Sequence, residues 1–195
     1  IWARNFLTKA WYWIGETERA MEFPGGTIHW KYVLAPDREA SLESLRGTEA
    51  WHPEIDFGRR IISSYAYVML RDWQSTVDLL DEDAQDLENF TRHYVGNLAQ
   101  NESPALSLAV AYKALGNQEM YRKFSDFERY AVNIRTDHGN LYNYEYSRAM
   151  ARLYAMEGNT GKALLELNRL ITKGPNDPRE LLHPAFDEMR NTPEF

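Results

Sequence analysis

The segment LYNYEYSRAMARLYAMEGNTGKALLELNRLITKGP, residues 141–175, has the pattern of two amphipathic helices joined by a tight turn. Gly158 can adopt the left-handed backbone conformation that ends a helix, and Asn159 can cap the next helix by accepting a backbone N–H bond. Apolar residues recur at helical spacing on both sides of this turn, at Tyr142, Tyr146, Ala149, Met150, Leu153 and Tyr154, then at Ala163, Leu167, Leu170 and Ile171. The segment therefore predicts a helical hairpin.

The turn dipeptide Gly-Asn is repeated along the second half of the chain. It occurs at residues 96–97, 116–117, 139–140 and 158–159, at intervals of 20, 23 and 19 residues. Each interval has room for one helix and one short connection. The repetition predicts helix after helix, without strands, over this part of the chain.

Segment 141–175 resembles the tetratricopeptide repeat. The resemblance is carried by a small residue, a tyrosine three residues later, the Gly-Asn turn, a second small residue and a closing proline, which are Ala151, Tyr154, Gly158-Asn159, Ala163 and Pro175. In that family the small residues let the two helices approach, the tyrosine fills the space between them, and the proline ends the second helix.

The same template fits three earlier places less completely. The matching residues are Ala109, Tyr112 and Gly116-Asn117, with Tyr121 in place of the second small residue; Ser64, Tyr67 and Thr76, with Arg71-Asp72 as the turn; and Thr8, Trp11, Gly15 and Ala20. The template thus predicts hairpin turns near residues 15, 71, 116 and 158.

The resemblance implies an all-α fold for the single domain 1–195: an α-solenoid of about four hairpins with a short C-terminal capping helix. We expect repeat units near 1–21, 53–90, 98–137 and 141–175, and the cap at 178–195. Residues 22–51 contain Pro-Gly-Gly and Ala-Pro-Asp turn signals, which predict an insertion carrying one short helix near Glu39–Leu45.

Two His-Pro dipeptides, His52-Pro53 and His183-Pro184, are predicted to be equivalent helix starts, because proline is well placed in an opening helical turn. The closing run KGPNDPRELLHPAFDEMRNTPEF, residues 173–195, is similar to the end of tetratricopeptide modules in bacterial regulators, among them winged-helix transcription factors of the ToxR/CadC type and adenylate cyclases. This similarity implies a sensor or interaction module of a bacterial regulatory protein.

Composition and motifs argue against several functional classes. The net charge of −7 lacks the basic footprint of a nucleic-acid binder, and the absence of cysteine removes thiolate chemistry. The five histidines are scattered, the acidic run 78–88 lacks the glycine of a calcium loop, and Gly161-Lys162 lacks the rest of a phosphate loop. We therefore expect no catalytic residue, no cofactor and no metal.

The cellular location follows less directly from the sequence. No apolar stretch is long enough to cross a bilayer, and the start IWARNFLTKAWYWIG has neither an initiator Met nor a signal-peptide pattern. The sequence is therefore expected to be a fragment of a longer protein, and we expect membrane attachment only through that parent. A periplasmic and a cytoplasmic location are both compatible with it.

The resemblance also implies a binding groove, lined by the first helix of each hairpin. The positions that face the groove in that family correspond here to Asn5, Lys9, Tyr12, Trp13, Ile61, Tyr65, Val68, Met69, Leu106, Val110, Lys113, Arg148 and Arg152. Arg148 and Arg152 are four residues apart, so both could reach one anion. These residues predict a protein or peptide partner, with a carboxylate as one of its recognised groups.

Other interpretations are compatible with the same residues. Trp11, Trp13, Trp30 and Trp51 could form an aromatic pocket for a small molecule, and the many carboxylates leave room for an unrecognised acid–base site. The groove residues could instead pack against the insertion or a neighbouring domain, and the chain could also form a homo-oligomer.

Overall fold

The computed structural model describes residues 38–50, 57–84, 103–137, 143–173, 178–193 and 195. Within these ranges the chain is all-α and contains no strand, as predicted. Seven α-helices are described, and they are α1 (Arg38–Ala50), α2 (Phe57–Met69), α3 (Trp73–Ala84), α4 (Pro104–Ala114), α5 (Gln118–Asp137), α6 (Asn143–Met156) and α7 (Thr160–Lys173). No described helix is long and apolar enough to span a membrane.

Three of the predicted turns are present and share one backbone geometry. Arg71, Gly116 and Gly158 have φ values of 59°, 77° and 74°. In each turn the next residue donates its N–H to the carbonyl of a residue five positions earlier, at 2.9 Å; these acceptors are Tyr67, Tyr112 and Tyr154. This is the hydrogen-bond pattern of a Schellman motif, in which a left-handed residue closes the helix.

The residue after each turn caps the following helix. The Asn117 and Asn159 Oδ1 atoms accept backbone N–H bonds from Met120 and Lys162, both at 3.2 Å. Asp72 plays the same part at the first turn, where its carboxylate accepts the Ser75 hydroxyl at 2.9 Å. The end of one helix and the start of the next are thus specified by two adjacent residues.

The helices pack in consecutive pairs, α2 with α3, α4 with α5 and α6 with α7. The first helices also contact one another in order, α2 with α4 and α4 with α6. Ser64, Ala109 and Ala151, the predicted small residues, are each 0% exposed, as expected for small residues between packed helices. The described part of the chain is therefore helical-repeat-like, with the first helices side by side.

Helix α1 is longer than the helix predicted near Glu39–Leu45, and it belongs to the core. Its Leu42 and Leu45 pack with Ala66, Tyr67 and Leu70 at the end of α2. The remainder of the predicted insertion, the unit near 1–21, the Gly-Asn dipeptides at 96–97 and 139–140, and His52-Pro53 lie outside the described residues.

The C-terminal segment, residues 178–195, differs from the single capping helix that was predicted. It forms three short 3-10 helices, Pro178–Leu182, Pro184–Phe186 and Met189–Asn191. The residues before two prolines, His183 and Thr192, have ψ values of 132° and 143°. A residue that precedes proline is disfavoured in helical geometry, so each of these residues interrupts the helix. His183 does start a helical turn, because its Nδ1 accepts the Ala185 N–H.

Candidate functional site: the face of the first helices

The C-terminal segment lies across the face that α2, α4 and α6 form together. We call this surface the first-helix face and define it by Tyr65, Lys113, Arg148 and Arg152, four of the predicted groove residues. All four contact the C-terminal segment. The surface that was predicted to bind a partner therefore carries a segment of its own chain.

At α6, two arginines share one carboxylate. Arg152 donates from Nε to Glu180 Oε1 at 2.6 Å, and Arg148 Nε lies 3.1 Å from Glu180 Oε2. The arginine side chains are 2% and 16% exposed, and that of Glu180 is 10% exposed. Such burial strengthens the attraction between the charges, but it also makes the loss of either partner costly. The spacing of four residues predicted this convergence on one anion.

At α2, the contact is aromatic. The His183 ring stacks on the Tyr65 ring with 6.2 Å between centroids and an interplanar angle of 22°. His183 is 0% exposed, and its Nδ1 is occupied as an acceptor of the Ala185 N–H, so this nitrogen carries no proton in this arrangement. The Phe186 ring contacts the His183 ring edge-on, with 6.4 Å between the two centroids, and Phe186 is itself fully buried.

The far end of the C-terminal segment pairs two acids with two cations. Arg71 binds Asp187 through two hydrogen bonds, of 3.1 Å to Oδ2 and 2.9 Å to Oδ1. Lys113 Nζ lies 3.0 Å from Glu188 Oε1 and donates to the Met156 carbonyl at 2.7 Å. These pairs are more exposed than the pair at Glu180. We therefore expect them to contribute little to stability and to act mainly by orienting the C-terminal segment on the helices.

The C-terminal segment also has internal order. Arg190 donates from Nη2 to the carbonyls of Leu181 and His183 at 2.8 and 3.1 Å, and it pairs with Asp187. One guanidinium thus ties together the turns that present His183 and Asp187 to the helices. The segment is held in a shape that fits the first-helix face, which lowers the entropy lost on contact.

Tyr121, on α5, borders the same end of the C-terminal segment. Burial raises the pKa of its phenol above the ordinary value of about 10, and the negative charge of Glu157 raises the pKa further. Arg129 acts in the opposite direction, and Glu188 of the C-terminal segment again raises this pKa. Folding therefore favours the neutral form of the Tyr121 phenol.

The remaining predicted groove residues fall into two groups. Val68, Met69, Leu106 and Val110 are buried, with 0–7% exposure, so they present no open surface. Ile61 lies in α2, but its side chain is outside the described residues, as are Asn5, Lys9, Tyr12 and Trp13. The aromatic pocket predicted from Trp11, Trp13, Trp30 and Trp51 also falls outside them and stays a prediction.

The sequence patterns did not indicate which residues outside the first helices pair with their cations and rings. These are Glu180, His183, Asp187 and Glu188, together with Arg71 at the first turn. A signal was present, because the C-terminal segment places acids at both ends of an apolar centre. Which cations they would meet depends on the path of the chain, which local patterns do not determine.

Comparison with family models, with curated proteins and with solved structures finds no match to this chain. Among the residues that the structure describes, no three histidine, aspartate or glutamate side chains are grouped so that they could hold a metal ion.

Proposed function

We propose that this chain is a non-enzymatic interaction module of the tetratricopeptide type, an α-solenoid belonging to a bacterial regulatory protein, and that it binds a peptide or protein segment on the first-helix face. One observation carries the proposal. Arg148 and Arg152 hold a single carboxylate, and that carboxylate belongs to an irregular segment laid across the helices.

The repeated turn geometry supports the repeat assignment. The left-handed residues 71, 116 and 158 stand at equivalent places of three helix pairs, each followed by a capping Asp or Asn. Fully buried Ser64, Ala109 and Ala151 allow the close approach that such a stack requires. A stack of this kind leaves one helix of each pair on a common face, where a long segment can lie across several repeats.

The chemistry of that face supports an acidic peptide as the ligand. The side chains of Arg148 and Arg152 are 16% and 2% exposed, and removal of the anion from a buried ion pair costs several kcal/mol. A guanidinium is a strong and directional donor to carboxylates, and neighbouring apolar side chains favour a ligand with apolar anchors. Recognition of acidic segments by arginine pairs is a common mode of peptide binding.

Selection from a random peptide library displayed on phage, with the whole chain immobilised, tests this proposal. We expect enriched peptides to carry Glu or Asp next to apolar residues, and the double variant Arg148→Gln/Arg152→Gln to bind them at least ten-fold more weakly. Arg46→Gln is the matched control, because Arg46 is a half-exposed arginine that pairs with Asp72 away from this face.

Circular dichroism of each variant verifies that helical content is kept. Equal affinity of the double variant and the parent chain, or selection of peptides without any acidic residue, contradicts the proposed function.

A further inference from the structure

The C-terminal segment meets the first-helix face with a simple chemical order. Glu180 comes first, the buried ring of Phe186 is six residues further on, and Asp187 and Glu188 follow at once. Between the segment and the rest of the chain, the charged contacts described above join acids on the segment to cations, at Arg148, Arg152 and Lys113 on the helices and at Arg71 in the first turn. The order is acid, aromatic ring, acid.

The apolar contacts of the C-terminal segment anchor it, and its charged contacts provide specificity. Phe186 and Met189 pack with Ala151, Ala155 and Leu167, which places them among the side chains of α6 and α7. They provide apolar burial that any fitting ring and thioether could supply. The carboxylate at position 180 is more demanding, because it must sit between the guanidinium groups of two arginines whose side chains are 16% and 2% exposed. A ligand with an acid at that place can contact both arginines as Glu180 does.

A terminal cap with a purely structural purpose needs the apolar contacts alone. Replacing buried ion pairs with well-packed apolar residues is often neutral or stabilising, so the arginine pair is an inefficient way to fasten a cap. An arginine pair is well suited to recognising a carboxylate on a ligand that must be both bound and released. The ion pairs are thus the part of this contact that a ligand carboxylate could also make.

We propose that the first-helix face binds a foreign peptide with this acid, aromatic ring, acid order, and that the C-terminal segment is the intramolecular competitor which such a peptide displaces. This inference rests on the proposed function, since it names the partner chemistry and the regulation of that same face. Because the segment is covalently attached, its effective concentration at the face is on the order of 1 mM. A free peptide of equal intrinsic affinity must reach that concentration before it occupies half of the sites.

The test begins with a protease recognition sequence inserted between Lys173 and Pro178. The probe is a fluorescent peptide that keeps Glu, His, Phe and Asp at the spacing of residues 180, 183, 186 and 187, with alanine or serine elsewhere. Fluorescence anisotropy measures its affinity before and after cleavage. We expect cleavage to tighten binding at least ten-fold, because the C-terminal segment then competes only at its free concentration. A probe with Gln for the first Glu is expected to bind at least ten-fold more weakly than the parent probe.

A second variant covers the case in which the cleaved protein unfolds. Glu180→Gln/Asp187→Asn, in the uncleaved chain, weakens the competitor while it leaves the apolar anchors in place. We expect this variant to bind the probe at least ten-fold more tightly than the parent chain does. Unchanged affinity in both the cleaved chain and this variant overturns the inference.

Two other results separate the inference from the proposed function. Library peptides that bind the first-helix face without competing with the probe overturn the inference and leave the proposed function standing. Light scattering can also reveal dimers that the probe dissociates. Such dimers identify the segment of a second copy as the occupant and overturn the foreign-peptide assignment.

Discussion

Arg152 and Glu180 form a hydrogen-bonded ion pair across 28 residues of sequence, with side chains that are only 2% and 10% exposed. The pair joins the third of the first helices to the C-terminal segment. It therefore couples the stability of α6 to the occupation of the first-helix face.

Glu180→Gln is expected to lower the free energy of unfolding by about 3 kcal/mol, since it removes the charge that Arg148 and Arg152 share in a mostly buried ion pair. Urea denaturation followed by circular dichroism measures the change. Glu188→Gln is the control, because Glu188 is 68% exposed and its pair with Lys113 is worth at most about 1 kcal/mol. A double-mutant cycle of Arg152→Met with Glu180→Gln should give a coupling of at least about 1 kcal/mol, and additive effects would falsify a direct interaction.

Gly158→Ala is expected to destabilise the protein by about 1 kcal/mol, through backbone strain alone. The glycine has φ +74°, and a Cβ placed there meets no atom within 4 Å. Gly161→Ala is the matched control, since it too meets no atom, but lies in the first turn of α7 without a positive φ. There alanine should stabilise by about 0.5 kcal/mol. Effects of the same sign in thermal unfolding would contradict the assignment of Gly158 to the left-handed region.

Asn159→Ala is expected to cost about 1 kcal/mol, because the Lys162 N–H loses the side-chain acceptor that caps α7. Asn159→Asp should retain the stability, as aspartate caps equally well. Asn168→Ala is the control for the loss of an asparagine, because Asn168 is exposed within the same helix. This variant should be neutral or slightly stabilising. Chemical denaturation of the three variants distinguishes these results.

Phe186→Ala is expected to destabilise by about 4 kcal/mol, because the ring is fully buried and its removal leaves a cavity between α6 and α7. Phe195, which lies 6.2 Å from Phe186 between ring centroids, is 37% exposed, so Phe195→Ala should cost much less, about 1 kcal/mol. Equal losses for the two variants in urea denaturation would show that Phe186 is not anchored as described.

The raised pKa of Tyr121 predicts a dependence of stability on alkaline pH. Folding favours its neutral phenol, so the contribution is complete below the unfolded pKa of about 10 and is lost as the pH rises through the higher folded pKa. The difference in unfolding free energy between the parent chain and Tyr121→Phe should therefore shrink from pH 8 to pH 11. Tyr130→Phe, at an exposed position of the same helix, controls for the loss of a phenol. A difference that grows with pH would have the wrong sign.

The turns were predictable because their determinants are local. Gly-Asn at 116–117 and 158–159 combines the left-handed residue with the cap of the next helix in two adjacent positions. The turn at 71 was found through the neighbouring small residue and tyrosine, although Arg71 has no special preference for a positive φ. Its Asp72 cap supplies the helix start that asparagine supplies elsewhere.

The contacts of the C-terminal segment were not predictable in the same way. The spacing of Arg148 and Arg152 on one helix predicts a shared anion, but it does not say that Glu180 provides it. Arg71 and Asp187 are 116 residues apart, and no periodicity links such positions. Likewise, α1 was expected as a short helix of an insertion, whereas Leu42 and Leu45 join the core through contacts with α2.

The position of the C-terminal segment in the chain has a consequence for biosynthesis. Ribosomes add roughly 5–20 residues per second, so synthesis of α7 is complete about one to three seconds ahead of Asp187 and Glu188. During that interval the arginines of α6 are already synthesised while their anion is not. The pairing of the α6 arginines with Glu180 can therefore form only after the helices themselves have been synthesised.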